Sequence, residues 1–393
     1  MNDNNPRQRI ESLDVLRGLV IVLMAIDHVR DFWSVEPFQP EDLSQTTPEY
    51  FFTRWITHFC APVFVFLAGT SAFLYQAKIN DKKQLSRFLL SRGLWLVLIE
   101  LVVVNSSWTL GFFLTGWGFF LQVIWALGVS MIALALLVWL SDGMILLISL
   151  LMIVGHNAFN FVVPADLGAW AWLWQVLHEG GWIALNAQGS YGAFIAYPLI
   201  PWIGVMGAGY VFGRLMLMAP ADRFRWLWGL AGACVMLFVV LRYSNLYGDT
   251  APWTTQKDAM FTFMSFINTQ KYPPSLLFLL MTLGPGFVLL WLFEKKPWRW
   301  LGILKTIGRV PLFFYVLHFI VIHLTSMLYF KVVHGQWFDL ANTQNPQRWP
   351  DFYEPSLWRL YLAWALTVWG FFYLCRWYDR YKSTHRHWWL KFL

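Results

Sequence analysis

Ten stretches of the chain are apolar for about 20 residues each, the length a helix needs to cross a bilayer. They cover approximately 12–30, 57–76, 86–106, 118–140, 144–163, 195–217, 226–242, 274–293, 310–330 and 357–376. In hydrocarbon every backbone N–H and C=O must be satisfied within the protein, so such a chain folds as a helical bundle. The expected fold class is all-α, a polytopic bundle of about ten transmembrane helices. It forms one domain over 1–393, with its core at 9–330 and a basic tail at 377–393. Ser141-Asp142-Gly143 alone joins the fourth and fifth stretches, a turn signal for a tight hairpin. Composition excludes a soluble enzyme: only 13% of the 393 residues are charged, about half the share of a soluble domain. The 26 tryptophans suit two membrane–water interfaces.

The net charge of +7 resolves into an asymmetry. With ten crossings and the N-terminus in the cytoplasm, the inner side receives 21 Lys and Arg and the outer side 8. Acidic residues run the other way, 8 inside and 13 outside, with Glu100 left within the third stretch. Basic residues concentrate on the cytoplasmic side of membrane proteins, and an odd number of crossings scrambles this pattern. Both termini are therefore expected inside, in a multi-pass membrane protein. The basic excess belongs to inner loops and helix ends, so no nucleic-acid partner is expected. Gly18–Ile26 is followed by charges rather than by a small-x-small cleavage site, which argues against a cleavable signal peptide. The long outer loops, at about 31–56, 164–194, 243–273 and 331–356, make the outer face the expected side for a bulky substrate.

The first stretch is the most informative. Its purely apolar part, Gly18–Ile26, is too short to cross, so the helix must include Asp14, Arg17, Asp27 and His28. Ionisable groups within a membrane are costly and mark functional sites by default. Arg17 and His28 are 11 residues apart, close to three turns, which places them on one face about 16 Å apart along the axis. Asp14, one turn before Arg17, can pair with it. A helix whose end charges snorkel to both interfaces explains Arg17 well and Asp27-His28 less well. His58 opens the second stretch ahead of Pro62 and is either a hydrogen-bonding core residue or a catalyst. Glu100 has no obvious sequence partner; an arginine is one option, and the chain leaves it open. Gly284-Pro285-Gly286 is expected to interrupt the eighth stretch, and Pro311 suits the first turn of the ninth. Arg309 beside that helix start can hold phosphate. His323 is expected to be a packed core histidine. Cys60, Cys234 and Cys375 are scattered, and neither a CxxC pair nor HExxH occurs. No metal, zinc included, and no disulfide is expected.

Several segments together resemble a known family. They are Arg9-Ile10-Glu11-Ser12-Leu13-Asp14-Val15-Leu16-Arg17-Gly18 with Asp27-His28, His58-Phe59-Cys60-Ala61-Pro62 running to Phe66-Leu67-Ala68-Gly69-Thr70, Asn268 to Ser275 with Met281 to Pro285, and Gly308 to Tyr315 with His318. This set resembles the bacterial relatives of heparan-alpha-glucosaminide N-acetyltransferase, within the wider class of transmembrane acyltransferases. The resemblance implies acyl transfer from cytoplasmic acyl-coenzyme A to a sugar or glycan acceptor, with acetyl-coenzyme A as donor substrate and no permanently bound cofactor. Related glycan acyltransferases carry an Arg followed by ten residues and a His in their first helix, which is similar to Arg17 and His28. In the glucosaminide enzymes an active histidine lies in the loop after that helix, whereas the loop at 31–56 here has no His.

Acyl transfer needs a general base, and imidazole titrates in the useful range. The expected catalytic residues are His28, as general base or acyl carrier, Asp27 or another carboxylate to orient it, and His58. The expected donor- and substrate-binding residues are Arg17, Asp14, Arg92, Lys271, Arg309 and His318. Expected partners are acyl-CoA, the acceptor and the lipid bilayer; the oligomeric state stays open, a homo-oligomer included. Buried charges in Gly/Pro-broken helices also fit a secondary transporter or flippase, although no inverted repeat is visible.

Overall fold

The computed structural model describes residues 9–111, 118–296, 300–343, 345–385, 387 and 390. Part of the basic tail expected at 377–393, namely 386, 388–389 and 391–393, lies outside the described residues, as do 1–8 of the domain. A helix stands at each of the ten apolar stretches. The helices are α1 (Glu11–Trp33), α2 (Pro48–Trp55), α3 (Cys60–Ile79), α4 (Lys82–Ile99), α5 (Asn105–Thr109), α6 (Val123–Leu137), α7 (Asp142–Gly155) and α8 (Ala171–Trp174). They continue as α9 (Leu199–Phe212), α10 (Pro220–Ser244), α11 (Ala259–Ile267), α12 (Leu276–Lys295), α13 (Leu301–Arg309), α14 (Pro311–His334) and α15 (Leu357–Thr384). Pro311 opens α14 at its first position, where its missing N–H costs nothing.

The chain is a helical membrane protein. Among the described residues, seven helical segments are long and apolar enough to cross a membrane: 48–79, 82–109, 142–159, 199–217, 220–244, 276–295 and 311–334. Three of the ten expected spans fall short for separate reasons. Helix α6 is apolar but has 15 residues, α1 carries Asp14, Arg17, Asp27 and Arg30 within its length, and Trp and Tyr dilute α15.

Two local expectations are corrected, and one open partner is found. The fold is not purely α-helical, because β1 (Gly118–Leu121), β2 (Gly181–Ala184) and β3 (Gly192–Ile195) form a small sheet in the order β1-β3-β2. Strands β1 and β3 are parallel and β2 and β3 antiparallel, so the apolar run at 118–121 is spent on a strand and the fourth helix starts only at Val123. Gly284-Pro285-Gly286 does not interrupt α12, which runs through it. The glycines on either side carry no side chain to crowd the bend, and they pack closely, with a Cβ at Gly284 placed 3.1 Å from Cys234 Cβ and one at Gly286 3.2 Å from Val63 Cγ2. Among the described residues Glu100 pairs with no arginine: its carboxylate accepts from the backbone N–H groups of Gln122 (3.3 Å) and Trp125 (3.2 Å) at the start of α6. A helix N-terminus presents unpaired donors and partial positive charge, which serves a buried carboxylate as a cation would.

Close helix crossings set the geometry of the site. A Cβ on Gly18 of α1 would lie 1.9 Å from the Leu304 carbonyl oxygen of α13, and one on Gly308 would lie 1.8 Å from the Asp14 oxygen. Only glycine at both positions lets these backbones touch, as small residues do at membrane helix interfaces. Gly69 of α3 and Gly209 of α9 form a second such reciprocal crossing, against the oxygens of Met206 and Phe66. Helix α14 then runs alongside α1, with Trp33 Nε1 donating to the Ile322 oxygen at 3.2 Å near the far end.

Candidate active site

Two histidines from distant parts of the chain meet near the upper end of α1. His28 Nδ1 lies 2.6 Å from His318 Nε2 on α14, and the two residues are 290 positions apart. His318 Nδ1 lies 3.1 Å from the Phe314 oxygen and 2.6 Å from the Tyr315 oxygen, both of which can only accept. Nδ1 of His318 therefore carries its proton, Nε2 of His318 accepts, and His28 Nδ1 must be the donor. This chain assigns the remaining lone pair to His28 Nε2. That atom makes no hydrogen bond to the described residues and is not sealed from solvent. Phe319 packs against both imidazoles at 4.4 Å, and the Tyr315 ring stands edge-on to His28 at 82°. The aromatic sleeve fixes the ring that presents Nε2.

His28 lines a cavity of about 740 Å³. Val20, Ile21 and Met24 of α1 form its deep wall, and Phe120 and Phe194 of the small sheet close one side. Glu36, Gln39, Gln45 and Glu179 also line it, polar groups suited to a hydroxylated ligand. The wall is amphipathic in the way small-molecule sites usually are.

Asp27 lines the same cavity and gathers cations. Its carboxylate pairs with Arg54, with Arg30 at 3.2 Å and with Lys271 at 3.6 Å. Arg54 also holds Glu41 at 2.7 Å. The group that hydrogen-bonds the His28 ring is His318, while Asp27, expected to orient it, is held by Arg54, Arg30 and Lys271. His58 is 1% exposed and stands outside the cavity wall, its Nε2 3.5 Å from Glu41 and its ring against Phe278. Its neighbours Thr57, Cys60 and Ala61 line the cavity, and His58 itself stands beside Glu41. Burial alone raises the Glu41 carboxyl, yet Arg54 and His58 outweigh this and hold it well below the usual carboxylate range. Glu36 behaves oppositely: burial pushes its carboxyl up to about 7 against the pull of Arg30, 4.0 Å away.

The other end of α1 holds a separate basic cluster. Arg17 donates to Asp14 (3.0 Å), Ser71 Oγ (2.8 Å) and the Gly308 oxygen (3.2 Å), and Asp14 also takes Arg9. Arg309 pairs with Asp379 at 3.0 Å. Arg92 on α4 and Lys382 on α15 lie near enough to feel the charges of Arg17 and Arg9. None of Arg17, Arg92 and Arg309 lines the cavity, whose wall includes Val20, three residues from Arg17, and Pro311, two residues from Arg309. Of the residues expected to bind substrate, Lys271 and His318 sit at the His28 end and Arg17, Asp14, Arg92 and Arg309 at the other. His323 is packed as expected, against Asp339 (2.9 Å) and the Ser107 oxygen (3.3 Å).

The profile of the heparan-alpha-glucosaminide N-acetyltransferase catalytic family matches residues 9–247. The chain belongs to this family. It is therefore a membrane protein of an acetyltransferase type. No curated protein matches the chain. The family match takes in α1 to α10, and with them Arg17, Asp27, His28 and His58, whereas Lys271, Arg309 and His318 lie beyond it. Sequence reasoning passed over Arg54, Arg30 and Tyr315. Each sits one helical turn from a residue it did single out, at His58, Asp27 and His318 respectively, and that spacing was the available signal.

Proposed function

We infer that this protein moves an acyl group, acetyl in the first instance, from cytoplasmic acyl-coenzyme A to a hydroxyl or amine of a sugar or glycan acceptor at the outer face of a bacterial inner membrane. The observation that carries this reading is the His28–His318 pair, which leaves the His28 Nε2 lone pair at a cavity large enough for a sugar and an acyl arm. In this reading ten helices cross the membrane with both termini in the cytoplasm. Arg17, oriented by Asp14, acts with Arg92 and Arg309 on the phosphates of the donor. The thioester reaches up the α1 seam past Val20 and Met24, and the acceptor enters between Glu36 and Glu179.

His28 Nε2 takes the proton of the acceptor as its oxygen or nitrogen attacks the thioester carbonyl. The tetrahedral adduct collapses with rupture of the C–S bond, and the proton on Nε2 passes to the departing thiolate. His318 shares the positive charge of His28 through the Nδ1 hydrogen bond and anchors it on the α14 carbonyls. General-base assistance of this kind contributes about 10²–10⁴-fold.

The test uses the full chain in nanodiscs with labelled acetyl-coenzyme A and a panel of sugars and glucosaminides. Acceptor-dependent release of free coenzyme A, lost in His28→Ala, is the expected result. Substrate accumulation in proteoliposomes without acyl transfer overturns the reading in favour of a transporter. Full transfer by His28→Ala overturns the assignment of the base.

A further inference from the structure

We propose that Lys271 is a specificity-determining residue, whose ammonium donates a hydrogen bond to a non-reacting hydroxyl oxygen of the sugar acceptor. The proposal rests on the acyl-transfer reading above and deepens it, because it makes the acceptor a polyhydroxylated ring rather than a simple alcohol or amine.

Three cations line the cavity, Arg30, Arg54 and Lys271, and all three surround the Asp27 carboxylate. The two arginines have carboxylates of their own: Arg30 donates to Asp31 at 2.8 Å and Arg54 to Glu41 at 2.7 Å. Among the described residues Lys271 has only its share of Asp27, at 3.6 Å, which is beyond hydrogen-bond distance. An ammonium carries three N–H donors. None of them meets an acceptor among the described residues, and Nζ is not sealed from solvent. The residue is 8% exposed and lines the cavity, so its donors open there. A buried charge needs hydrogen-bond partners, and bonds to an ionised donor are about twice as strong as neutral ones. Sugar hydroxyls supply such oxygens in number.

Its position suits the acceptor rather than the donor. Lys271 is joined to Asp27, the chain neighbour of His28, and so belongs to the end of the cavity where the base sits, apart from the basic cluster around Arg17. The loop that carries it is tied on both sides. Asp249 Oδ2 accepts from the Gln270 N–H at 2.9 Å and from the Ser275 hydroxyl at 2.8 Å, and the Ser275 N–H donates to the Gln270 oxygen at 3.0 Å. A donor fixed before its ligand arrives loses little freedom on binding. Tyr272 lines the same cavity, with its ring centroid 5.2 Å from Lys271 Nζ. An aromatic surface beside one well-placed polar group is how small-molecule sites fix orientation.

The test pairs a missing ligand oxygen with a missing ammonium. Acceptors are p-nitrophenyl glucosaminide and its 3-, 4- and 6-deoxy analogues, with acetyl-coenzyme A as donor and the full chain in nanodiscs. In the unsubstituted chain one analogue is expected to lose about 10–100-fold in kcat/KM, the effect of one hydrogen bond to a charged group. Lys271→Met loses about as much with the parent sugar at an unchanged donor KM, and no more than about twofold further with that analogue. Losses that multiply overturn the proposal and give Lys271 a structural role, and so does the absence of any position-specific loss. Lys271→Arg keeps a cation beside Asp27 and displaces the donor, and it serves the same cycle where the Met variant does not fold. Saturation-transfer NMR of the same sugars reads the subsite without the chemistry. Binding with the deoxy pattern but no acyl transfer overturns the acyl-transfer reading and leaves the sugar subsite standing. Transfer without the pattern overturns the proposal alone, and absence of sugar binding overturns the subsite.

Discussion

Asp27 and His28 are adjacent in the chain and serve different partners: Asp27 joins Arg54, Arg30 and Lys271, while His28 joins His318. A carboxylate beside a histidine invites the reading of an acid–base pair, and the contacts assign the two separately. The acid holds three cations of the cavity wall together, and the histidine is hydrogen-bonded by a second imidazole from α14.

That arrangement makes the two imidazoles act as a unit. His318→Asn is expected to lower acyl transfer about 10²-fold or more, because loss of the acceptor at Nδ1 frees the His28 ring and its tautomer. The double variant with His28→Ala should be no slower than His28→Ala alone, since residues that act together are not additive. Initial rates of coenzyme A release from the three variants check this; additive losses separate the two roles.

Removing a cation from the Asp27 cluster should cost more than removing its charge pair. Arg54→Met strands Glu41 and part of Asp27, and a broken buried pair costs about 3–5 kcal/mol. Arg54→Met combined with Glu41→Gln should recover part of that loss. Thermal unfolding of the single and double variants in the same detergent measures the difference.

The touching backbones of α1 and α13 predict intolerance to a single methyl. Gly18→Ala and Gly308→Ala each put a Cβ under 2 Å from a backbone oxygen, so the helices must separate, at about 1–3 kcal/mol or more. Gly232→Ala on α10 meets nothing within 4 Å and should change stability by less than about 0.5 kcal/mol. The contrast in melting temperature is the readout, and equal tolerance of all three contradicts the close crossing.

Arg242 ties down the segment 249–268. It is 1% exposed and donates to the oxygens of Phe266, Ala251, Ser265 and Asn268, and the Asn268 side chain donates in turn to the Glu41 oxygen at 2.9 Å. Arg242→Met leaves buried carbonyls unpaired at about 1–3 kcal/mol each. Backbone amides of 249–268 should exchange faster with deuterium, while α7 and α9 keep their protection.

Glu36 gives stability a definite pH trend. Its carboxyl titrates at 4.5 when unperturbed and at about 7 in the fold, so between these values the folded state holds more protons than the unfolded one. Stability from this group is therefore present at low pH and falls as pH rises through that window. Glu36→Gln should flatten the fall in melting temperature between about pH 5 and pH 7. An unchanged slope assigns the trend to another group.

Much of the architecture was legible in the sequence. The positions of all ten major helices follow from apolar length, and the start of α14 from Pro311, because both are local properties of the chain. Local signals also misled. Gly284-Pro285-Gly286 reads as a break, yet α12 runs through it among closely packed neighbours. Phe119 and Phe120 read as membrane helix, yet Asn105 binds the Phe120 N–H at 2.7 Å and helps hold that segment as a strand. Glu100 had no partner legible in the chain, and the backbone at the start of α6 supplies it.

By itself, the sequence determined that this is a helical membrane protein, where its helices lie, and that Arg17 and His28 share a face of α1. Hydrophobic length, charge and helical period act within a few turns, so they can be read along one strand of text. Only the tertiary structure decided that His28 meets His318, that Asp27 belongs to Arg54 and Lys271, and that His58 stands beside Glu41. Those pairings depend on how far each helix is rotated about its axis and how closely two backbones approach. Contacts such as Gly18 with Leu304 and Gly308 with Asp14 set both, hundreds of residues apart in the chain.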